Sequence, residues 1–185
     1  MTFKAIVGIV LGAMLANNYA LEKFLGAAPL LGWSAQEKKI TALGSSVTIA
    51  MFFTAIIAGL VQTYVLDALS LGYLQTLVYA AIVLIVVYVM EAIAKASGKS
   101  FGIYFPVIAL NSAVLGVAVN NAADGLNFGE SILTALGAGL GFWLALAAFA
   151  AVRSKIRERY VPNAWRGLPI YLLTAAILSM ALLAF

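Results

Sequence analysis

Apolar residues fill six long runs of this sequence, and short polar or charged segments separate them. The runs cover approximately residues 4–33, 40–64, 74–95, 101–121, 130–152 and 167–184. A helix of about 18 or more apolar residues crosses the roughly 30 Å of hydrocarbon in a bilayer. The pattern therefore predicts an all-α integral membrane protein with six transmembrane helices, and the first run is expected to be retained as a span.

Polar residues interrupt two of these runs. They are Asn17, Asn18, Glu22 and Lys23 in the first run, and Asn111 and Ser112, shortly after Pro106, in the fourth. Irregular backbone at membrane depth is tolerated only where protein or water satisfies its hydrogen bonds. We therefore predict that the first and fourth helices are broken, with Asn111 and Ser112 as partners for the freed backbone groups.

The composition agrees with a membrane protein and argues against a nucleic-acid partner. Hydrophobic residues make up 64% of the 185 residues and charged residues 10%, whereas soluble domains are about 45–50% apolar. The net charge of +4 comes from short basic clusters between apolar runs and not from one amphipathic face. We expect contact with lipid and none with nucleic acid.

The basic clusters also predict an orientation. Nine basic residues follow the first, third and fifth runs, against Lys4 on the opposite side: Lys38, Lys39, Lys95, Lys99, Arg153, Lys155, Arg157, Arg159 and Arg166. Cytoplasmic loops are enriched in Lys and Arg. Both termini are therefore expected on the outer face, and the short connections leave no room for a soluble domain.

Two short stretches of the sequence recur. Thr41–Gly44 returns as Thr134–Gly137, and Ala28–Gly32 is echoed by Ser112–Gly116. The offsets of 93 and 84 residues (134 − 41 and 112 − 28) differ by nine, which requires an insertion around "NNAADGLNF". Echoes this short also arise by chance in a sequence rich in Ala, Leu and Gly.

Topology favours a true repeat. A unit of three helices crosses the membrane an odd number of times, so a second copy enters from the opposite face. Inverted repeats commonly place interrupted helices at corresponding positions near the bilayer midplane. We expect one membrane domain over residues 1–185, composed of two inverted three-helix repeats at approximately 1–95 and 96–185.

Four stretches carry a resemblance to a known family: "NNYALEKFLGAAPLLG", "GIYFPVIALNSAVLGVAV", "LGAGLGFWLALAAFAAVRSKIRER" and "RGLPIYLLTAAILSMALLAF". They resemble, in order and nearly end to end, the paired six-helix membrane subunits of the Rnf complex and of the sodium-translocating NADH:quinone reductase, Nqr. The likeness is closest to the A subunit of Rnf and the E subunit of Nqr.

The resemblance implies a function and partners. It implies a membrane subunit of an ion-translocating electron-transport oxidoreductase in the inner membrane of a bacterium or archaeon. The implied partners are an oppositely oriented, homologous six-helix sister subunit, together with the flavin and iron–sulfur subunits of the complex. Na⁺ or H⁺ is the implied transported ion.

The sequence departs from this family at its iron–sulfur site. The resemblance implies cysteines at two positions, which with those of the sister subunit hold a cluster; here they are Ala28 and Ser112, and the sequence contains no Cys and no His. A [2Fe–2S] cluster normally needs four Cys thiolates, or His in place of two. We expect no cofactor or metal on this chain alone, and the sequence leaves open whether its Cys-free state is natural or engineered.

Five polar residues are candidates for an ion pathway because intramembrane polar groups are costly and often functional. They are Asn17, Asn18, Glu22, Glu91 and Asn111. The amides could instead satisfy broken helix ends. Glu22 and Lys23 could neutralise each other. The resemblance implies that Glu91 corresponds to an acidic position on the family's ion route, but Lys95 lies four residues later and could form a helix-surface ion pair with it.

The remaining motifs indicate packing and not catalysis. Gly137, Gly139 and Gly141 would allow another helix to approach closely. The sequence contains no nucleotide loop and no nucleophile with its base, so we predict a non-catalytic subunit without catalytic residues. The alternative is a transporter or channel-like module that uses the same inverted-repeat scaffold without a cluster.

Overall fold

A computed structural model of the chain describes residues 3–29, 37–98 and 104–182. Within these ranges the regular elements are helical and no strand occurs. Three parts of the predicted runs lie outside the described residues, namely 30–33, 101–103 and 183–184, as does Lys99. Residues 30–32, the end of the repeated stretch at 28–32, lie outside them as well.

Seven α-helices are bounded in these ranges: α1 (Phe3–Leu11), α2 (Glu37–Val61), α3 (Gln75–Ala96), α4 (Tyr104–Ala109), α5 (Ser112–Ala123), α6 (Phe128–Lys155) and α7 (Leu168–Leu182). Two π-helical turns, Gly12–Ala16 and Gln62–Leu66, extend α1 and α2. Short 3-10 turns occur at Gly72–Leu74, Glu158–Tyr160 and Asn163–Trp165.

In the part of the chain that the structure describes, four helical segments are long and apolar enough to cross a membrane: Ile40–Leu66, Gly72–Ala96, Phe105–Ala123 and Phe128–Lys155. They match the second to fifth predicted runs to within a few residues. The first and sixth runs correspond to shorter apolar helices, Phe3–Ala16 and Leu168–Ala181. The prediction of a helical, multi-pass membrane protein is therefore confirmed.

Helix α3 illustrates how these helices divide their surface. Tyr79, Val83 and Val87 are buried against the rest of the protein, whereas Leu77 and Ile85 are exposed. Both faces are apolar, because the exposed face meets lipid and not water. Burial in this protein is therefore decided by helix packing and not by an alternation of polar and apolar residues.

Helices α2 and α6 form an antiparallel pair. A Cβ atom added to Gly44 of α2 would collide with Trp143, and one added to Gly139 of α6 would lie 2.7 Å from Thr48 Cγ2. Moving four residues forward along α2, from Gly44 to Thr48, moves the contact four residues back along α6. The two helices therefore run in opposite directions, with glycine at their closest approach.

The other face of α6 packs on the first helix. A Cβ atom on Gly137 would lie 2.6 Å from the Val10 carbonyl oxygen, and one on Gly141 would lie 2.7 Å from the Met14 carbonyl oxygen. Such distances leave no room for a side chain. The prediction that these glycines serve helix packing is confirmed within the chain.

Candidate functional site

The first predicted break follows the π-helical turn at Gly12–Ala16. The backbone N–H of Asn17 donates to the Gly12 carbonyl at 2.8 Å and closes this turn. Beyond it, the chain runs without regular helix to residue 26 and becomes helical again at 27–29. Phe24 and Gly26 have positive φ angles, 52° and 75°. The first run is therefore broken, as predicted.

Asn18 stabilises this break. Its side chain is fully buried. Its Nδ2 donates to the carbonyl oxygens of Met14 (2.9 Å) and Gly141 (3.0 Å), and its Oδ1 accepts from the backbone N–H groups of Ala20 (3.0 Å) and Leu21 (3.2 Å). The amide thus joins the end of the first helix, the segment that follows and the middle of α6.

The C-terminal helix also holds the broken segment. The Ser179 hydroxyl of α7 donates to the Leu21 carbonyl at 2.7 Å. Tyr19, Ala20 and Leu21 are buried in the core. Residues 18–21 of the irregular backbone are therefore enclosed by protein, which meets the requirement for non-helical chain at membrane depth.

The second break separates α4 from α5 at Leu110 and Asn111. Asn111 has an extended backbone (φ −75°, ψ 111°), and its Oδ1 accepts from the Ala113 N–H at 3.0 Å. This is the geometry of a helix N-cap, in which a side-chain oxygen satisfies a free N–H of the first turn. The fourth run is therefore broken where predicted, and Asn111 is the backbone partner.

The two breaks meet. The Gly26 N–H donates to the Ser112 Oγ at 2.8 Å. A Cβ atom on Gly26 would lie 2.8 Å from Asn111 Oδ1 and 2.6 Å from Phe142 Cε2, so this contact and the positive φ both require glycine. Ser112 thus serves the backbone of the other broken helix, and Asn111 that of its own.

A pocket of about 310 Å³ lies at this junction, lined by Gly26, Ala28, Pro29, Pro106, Leu110 and Ser112, among others. Ala28 and Ser112 are both exposed at it. Asn111 also lines the pocket, and its Nδ2 has no hydrogen-bond partner among the described residues. The structure therefore brings the two expected cluster positions to one pocket.

The groups at this pocket do not fit an iron–sulfur cluster. Ala28 offers a methyl group, and the Ser112 oxygen already accepts from Gly26. Neither is the thiolate or imidazole that such clusters need. Among the described residues, no three His, Cys, Asp or Glu side chains lie together as metal ligands. We therefore assign no electron-transfer step to this pocket.

Asn17 and Lys23 lie together in a second pocket of about 320 Å³, which Tyr19, Asp124 and Thr134 also line. The Lys23 Nζ atom lies 4.6 Å from the centroid of the Tyr19 ring, a cation–π distance. Glu22 is exposed. The Lys23 charge is therefore held beside an aromatic face and a carboxylate-bearing loop.

Glu91 lies apart from both breaks, near the end of α3. It is 6% exposed, and its Oε1 lies 3.3 Å from the Nζ of Lys95, whose side chain is 64% exposed. The i,i+4 ion pair expected from the spacing is therefore present. The role of Glu91 on an ion route remains a prediction.

A third polar group was not predicted from the sequence. Tyr79 Oη donates to Gln62 Oε1 at 2.8 Å, and Gln62 Nε2 donates to Asp67 Oδ1 at 2.7 Å. Asn121 lines the same small cavity as Tyr79 and Gln62. The sequence feature that could have indicated this cluster is the pair of Asn residues at the start of "NNAADGLNF". The repeat alignment assigns that stretch to a loop insertion.

These features define a class: a helical, multi-pass membrane protein with two broken helices that contact each other. The chain matches the family described as "Rnf-Nqr subunit, membrane protein" over residues 6–185. It therefore belongs to that family, and the resemblance inferred from its sequence is confirmed.

Three relatives resemble the chain over almost their whole lengths. The A subunit of the Na(+)-translocating ferredoxin:NAD(+) oxidoreductase complex of Acetobacterium woodii is 41% identical over 184 residues, 97% of this chain and 96% of the relative. The A subunit of the ion-translocating oxidoreductase complex of Syntrophotalea carbinolica is 38% identical over 98% of this chain and 96% of its own. The A subunit of the ion-translocating oxidoreductase complex of Aliivibrio fischeri is 34% identical over 96% of this chain and 94% of the relative.

Proposed function

We propose that this chain is a membrane subunit of an Rnf-type, ion-translocating electron-transport complex. The observation that carries the proposal is the match over nearly the full length to the A subunits of such complexes. The four long apolar helices agree with a protein embedded in the membrane. In this assignment the electron-carrying flavin and iron–sulfur groups belong to partner subunits.

The proposed arrangement has six crossings in two inverted repeats, with both termini outside and an oppositely oriented sister subunit beside it. The antiparallel contact of α2 with α6, which contain the echoes Thr41–Gly44 and Thr134–Gly137, supports a two-fold relation. The meeting of the two breaks at Gly26 and Ser112 supports it further. The basic loops support the orientation.

Copurification tests complex membership. The full-length chain, tagged at one terminus and expressed with its neighbouring genes in its own host, is extracted in mild detergent and purified. We expect flavin-containing subunits, together with a homologous six-helix subunit, in stoichiometric amounts. A chain that elutes alone or as a homo-oligomer, from membranes that contain the other subunits, would contradict the proposal.

The absence of cysteine favours one alternative, a transporter or channel-like module without redox function. In that case the pocket beside Ala28 and Ser112 would be a remnant of a cluster site, and the scaffold would move its substrate without electron carriers. Copurification distinguishes the two, because the alternative predicts no redox partner.

Glu91 is the strongest acidic candidate for the ion route. Its carboxylate is buried, whereas the Lys95 side chain reaches the surface. If the carboxylate carries the ion, Glu91→Gln in the purified complex should lower ion uptake into vesicles at least about tenfold, equal to about 1.4 kcal/mol in the barrier. Lys95→Gln removes only the ion pair and should retain uptake. Equal loss in both variants would indicate a structural ion pair.

A further inference from the structure

A small cavity with both apolar and polar lining lies where the ends of α2, α3, α5 and α6 meet. Its volume is about 40 Å³, and a water-sized molecule needs at least roughly 10–15 Å³ of such space. Small side chains form part of its wall, including Ala55, Ala58 and Ala118. Leu126 and four polar side chains complete the wall, the polar ones being Gln62, Tyr79, Asn121 and Ser131. The cavity is therefore large enough for one or two small ligands.

Asn121 gives this cavity an unsatisfied acceptor. Asn121 is 4% exposed, and its Nδ2 donates to the Ser131 carbonyl at 3.0 Å. This bond to a carbonyl oxygen fixes the orientation of the amide, because only the NH₂ group can donate. The Oδ1 atom has no hydrogen-bond partner among the described residues. Leaving such an oxygen unpaired costs about 1–3 kcal/mol.

The other polar side chains of the cavity donate their hydrogen bonds to acceptors other than Asn121 Oδ1. The Tyr79 hydroxyl donates to Gln62 Oε1, and Gln62 Nε2 donates to the carboxylate of Asp67. The Ser131 hydroxyl donates to the Leu126 carbonyl. One hydrogen of each of these groups is thus engaged. Gln75 Nε2 also donates to Tyr79 Oη at 3.5 Å, so the free acceptor capacity lies on Asn121 Oδ1 and on the remaining lone pair of Gln62 Oε1. The cavity therefore favours a ligand that presents positive charge to these oxygens, either a cation or the hydrogens of a donor.

The charge around the cavity favours a monovalent cation over a divalent one. Asp67 lies one hydrogen bond beyond Gln62, so a single negative charge is coupled to the cavity without entering it. Divalent cations are usually held by carboxylate ligands, and the oxygens here are neutral. Oxygen dipoles of this kind replace the hydration shell of monovalent cations in membrane proteins.

The π-helical turn at Gln62–Leu66 contributes to the arrangement. Such turns are rare and occur often at functional sites, because the wider turn displaces side chains from the regular helical positions. Gln62 is the first residue of this turn and links the cavity to Asp67 at the exposed loop.

We propose that the cavity formed by Gln62, Tyr79 and Asn121 binds one partly dehydrated monovalent cation of about the size of sodium. The inference rests on the oxygen geometry of this chain and stands whether or not the chain is found in a complex. Its failure would leave the copurification result unchanged, and failure of copurification would leave the cation measurement unchanged.

Thermal unfolding of the purified full-length chain tests the site. NaCl is titrated at constant ionic strength with choline chloride as the balancing salt. We expect a saturable rise of Tm with sodium, because a ligand that binds the folded state stabilises it. Potassium should act at higher concentration. A Tm that is equal in sodium and choline would overturn the proposal and leave water as the ligand.

Three variants locate the effect. Asn121→Ala, Tyr79→Phe and Gln62→Met each remove an oxygen, and each should raise the half-maximal sodium concentration at least about tenfold, equal to about 1.4 kcal/mol. If Asn121→Ala does not fold, the other two carry the test, since they keep the size of the side chain. The same sodium response in these variants as in the unaltered chain would overturn the proposal.

Thr54→Val is the matched control. Thr54 lies on α2, is buried and also has a hydroxyl oxygen without a partner among the described residues. It is not one of the residues that line the cavity. Thr54→Val should keep the sodium response of the unaltered chain. Loss of the response in this variant would show that buried hydroxyls in general, and not the cavity, produce it.

Discussion

Asn18 and Asn111 each stabilise the backbone where a membrane helix is broken, but with different parts of the amide. Asn18 uses both its oxygen and its nitrogen, on four backbone groups. Asn111 uses its oxygen to cap α5, and its nitrogen faces no described partner. All four hydrogen bonds of Asn18 therefore go to the backbone. To coordinate an ion, Asn18 would have to release some of these bonds, and each unsatisfied backbone group in hydrocarbon costs several kcal/mol.

Asn18→Ala should destabilise the protein strongly. The change leaves the Met14 and Gly141 carbonyls and two N–H groups without their partner, and each unpaired buried group costs about 1–3 kcal/mol. We expect a loss of about 2–5 kcal/mol in unfolding free energy, measured by denaturant titration in detergent. Exposed Asn17 is the control, and Asn17→Ala should change stability by less than about 0.5 kcal/mol. Equal stability of both variants would contradict this role.

The sequence predicted that Asn111 serves the broken backbone and left Asn18 open between that role and ion coordination, because an Asn within an apolar run has few other inexpensive environments. It could not identify the partners. Gly141 lies 123 residues from Asn18, and Gly26 lies 86 residues from Ser112. Which lone pairs and N–H groups stay free depends on those tertiary contacts, and this is why the Asn121 cavity was not predicted.

At the scale of elements, α6 is organised by glycines on two faces. Gly139 faces α2 at Thr48, whereas Gly137 and Gly141 face the backbone of α1 at Val10 and of the π-helical turn at Met14. Close approach of this kind replaces the hydrophobic effect as the source of helix association in lipid, since packing and interhelical hydrogen bonds remain. The Asn18 bond to the Gly141 carbonyl lies at this contact.

Gly137→Ala should therefore separate α1 from α6. The new Cβ atom would lie 2.6 Å from the Val10 carbonyl oxygen and 3.1 Å from the Val10 Cα atom. Backbone atoms cannot move aside singly, so we expect an overpacking cost of about 1–3 kcal/mol. The measurement is thermal or denaturant unfolding of the purified chain.

Gly8→Ala is the matched control on α1. An added Cβ atom there meets nothing within 4 Å, and alanine is favoured over glycine in a helix by up to about 1 kcal/mol. Gly8→Ala should leave stability unchanged or raise it. Equal destabilisation by both substitutions would indicate that α1 and α6 do not pack as described.

The positions of the long helices could be predicted from composition, whereas the π-helical turns within them could not. The run at 74–95 coincides with an observed helix to within one residue, and the run at 130–152 to within three, because an unbroken apolar sequence of that length can satisfy its backbone in a bilayer only as a helix. The break at Asn111 followed from its capping chemistry. The π-helical turns at Gly12–Ala16 and Gln62–Leu66 carry no comparable local signal, since their sequences do not differ in kind from the helices they extend.

At the scale of the whole molecule, the pocket between the two breaks brings together the two positions that the resemblance implies for cluster ligands. Ala28 and Ser112 line this one pocket, as expected if the two positions contribute to one site. The purified chain should contain no stoichiometric iron by elemental analysis, because neither residue supplies a thiolate. Iron bound by the unaltered chain would mean that other ligands hold it.

The converse experiment restores the sulfur ligands. Ala28→Cys with Ser112→Cys, in a complex whose sister subunit keeps its own cysteine pair, should recover visible iron–sulfur absorption, since four thiolates complete a [2Fe–2S] site. Either single substitution supplies one thiolate too few and serves as the control. A double variant that folds, assembles with its sister and remains colourless would contradict the shared pocket.

The loops at 67–72 and 124–127 lie on the same side of the membrane. This follows because Gln62, Asn121 and Ser131, which lie beside these loops in the sequence, border one cavity. The basic loops predict that this side is external. In this sequence without cysteine, Ala68→Cys and Asp124→Cys should react with a membrane-impermeant maleimide in intact cells. Ser97→Cys and Asn163→Cys, also at exposed positions, should react only after permeabilisation. The reverse pattern would contradict the orientation, and disagreement within a pair would contradict the helix arrangement itself.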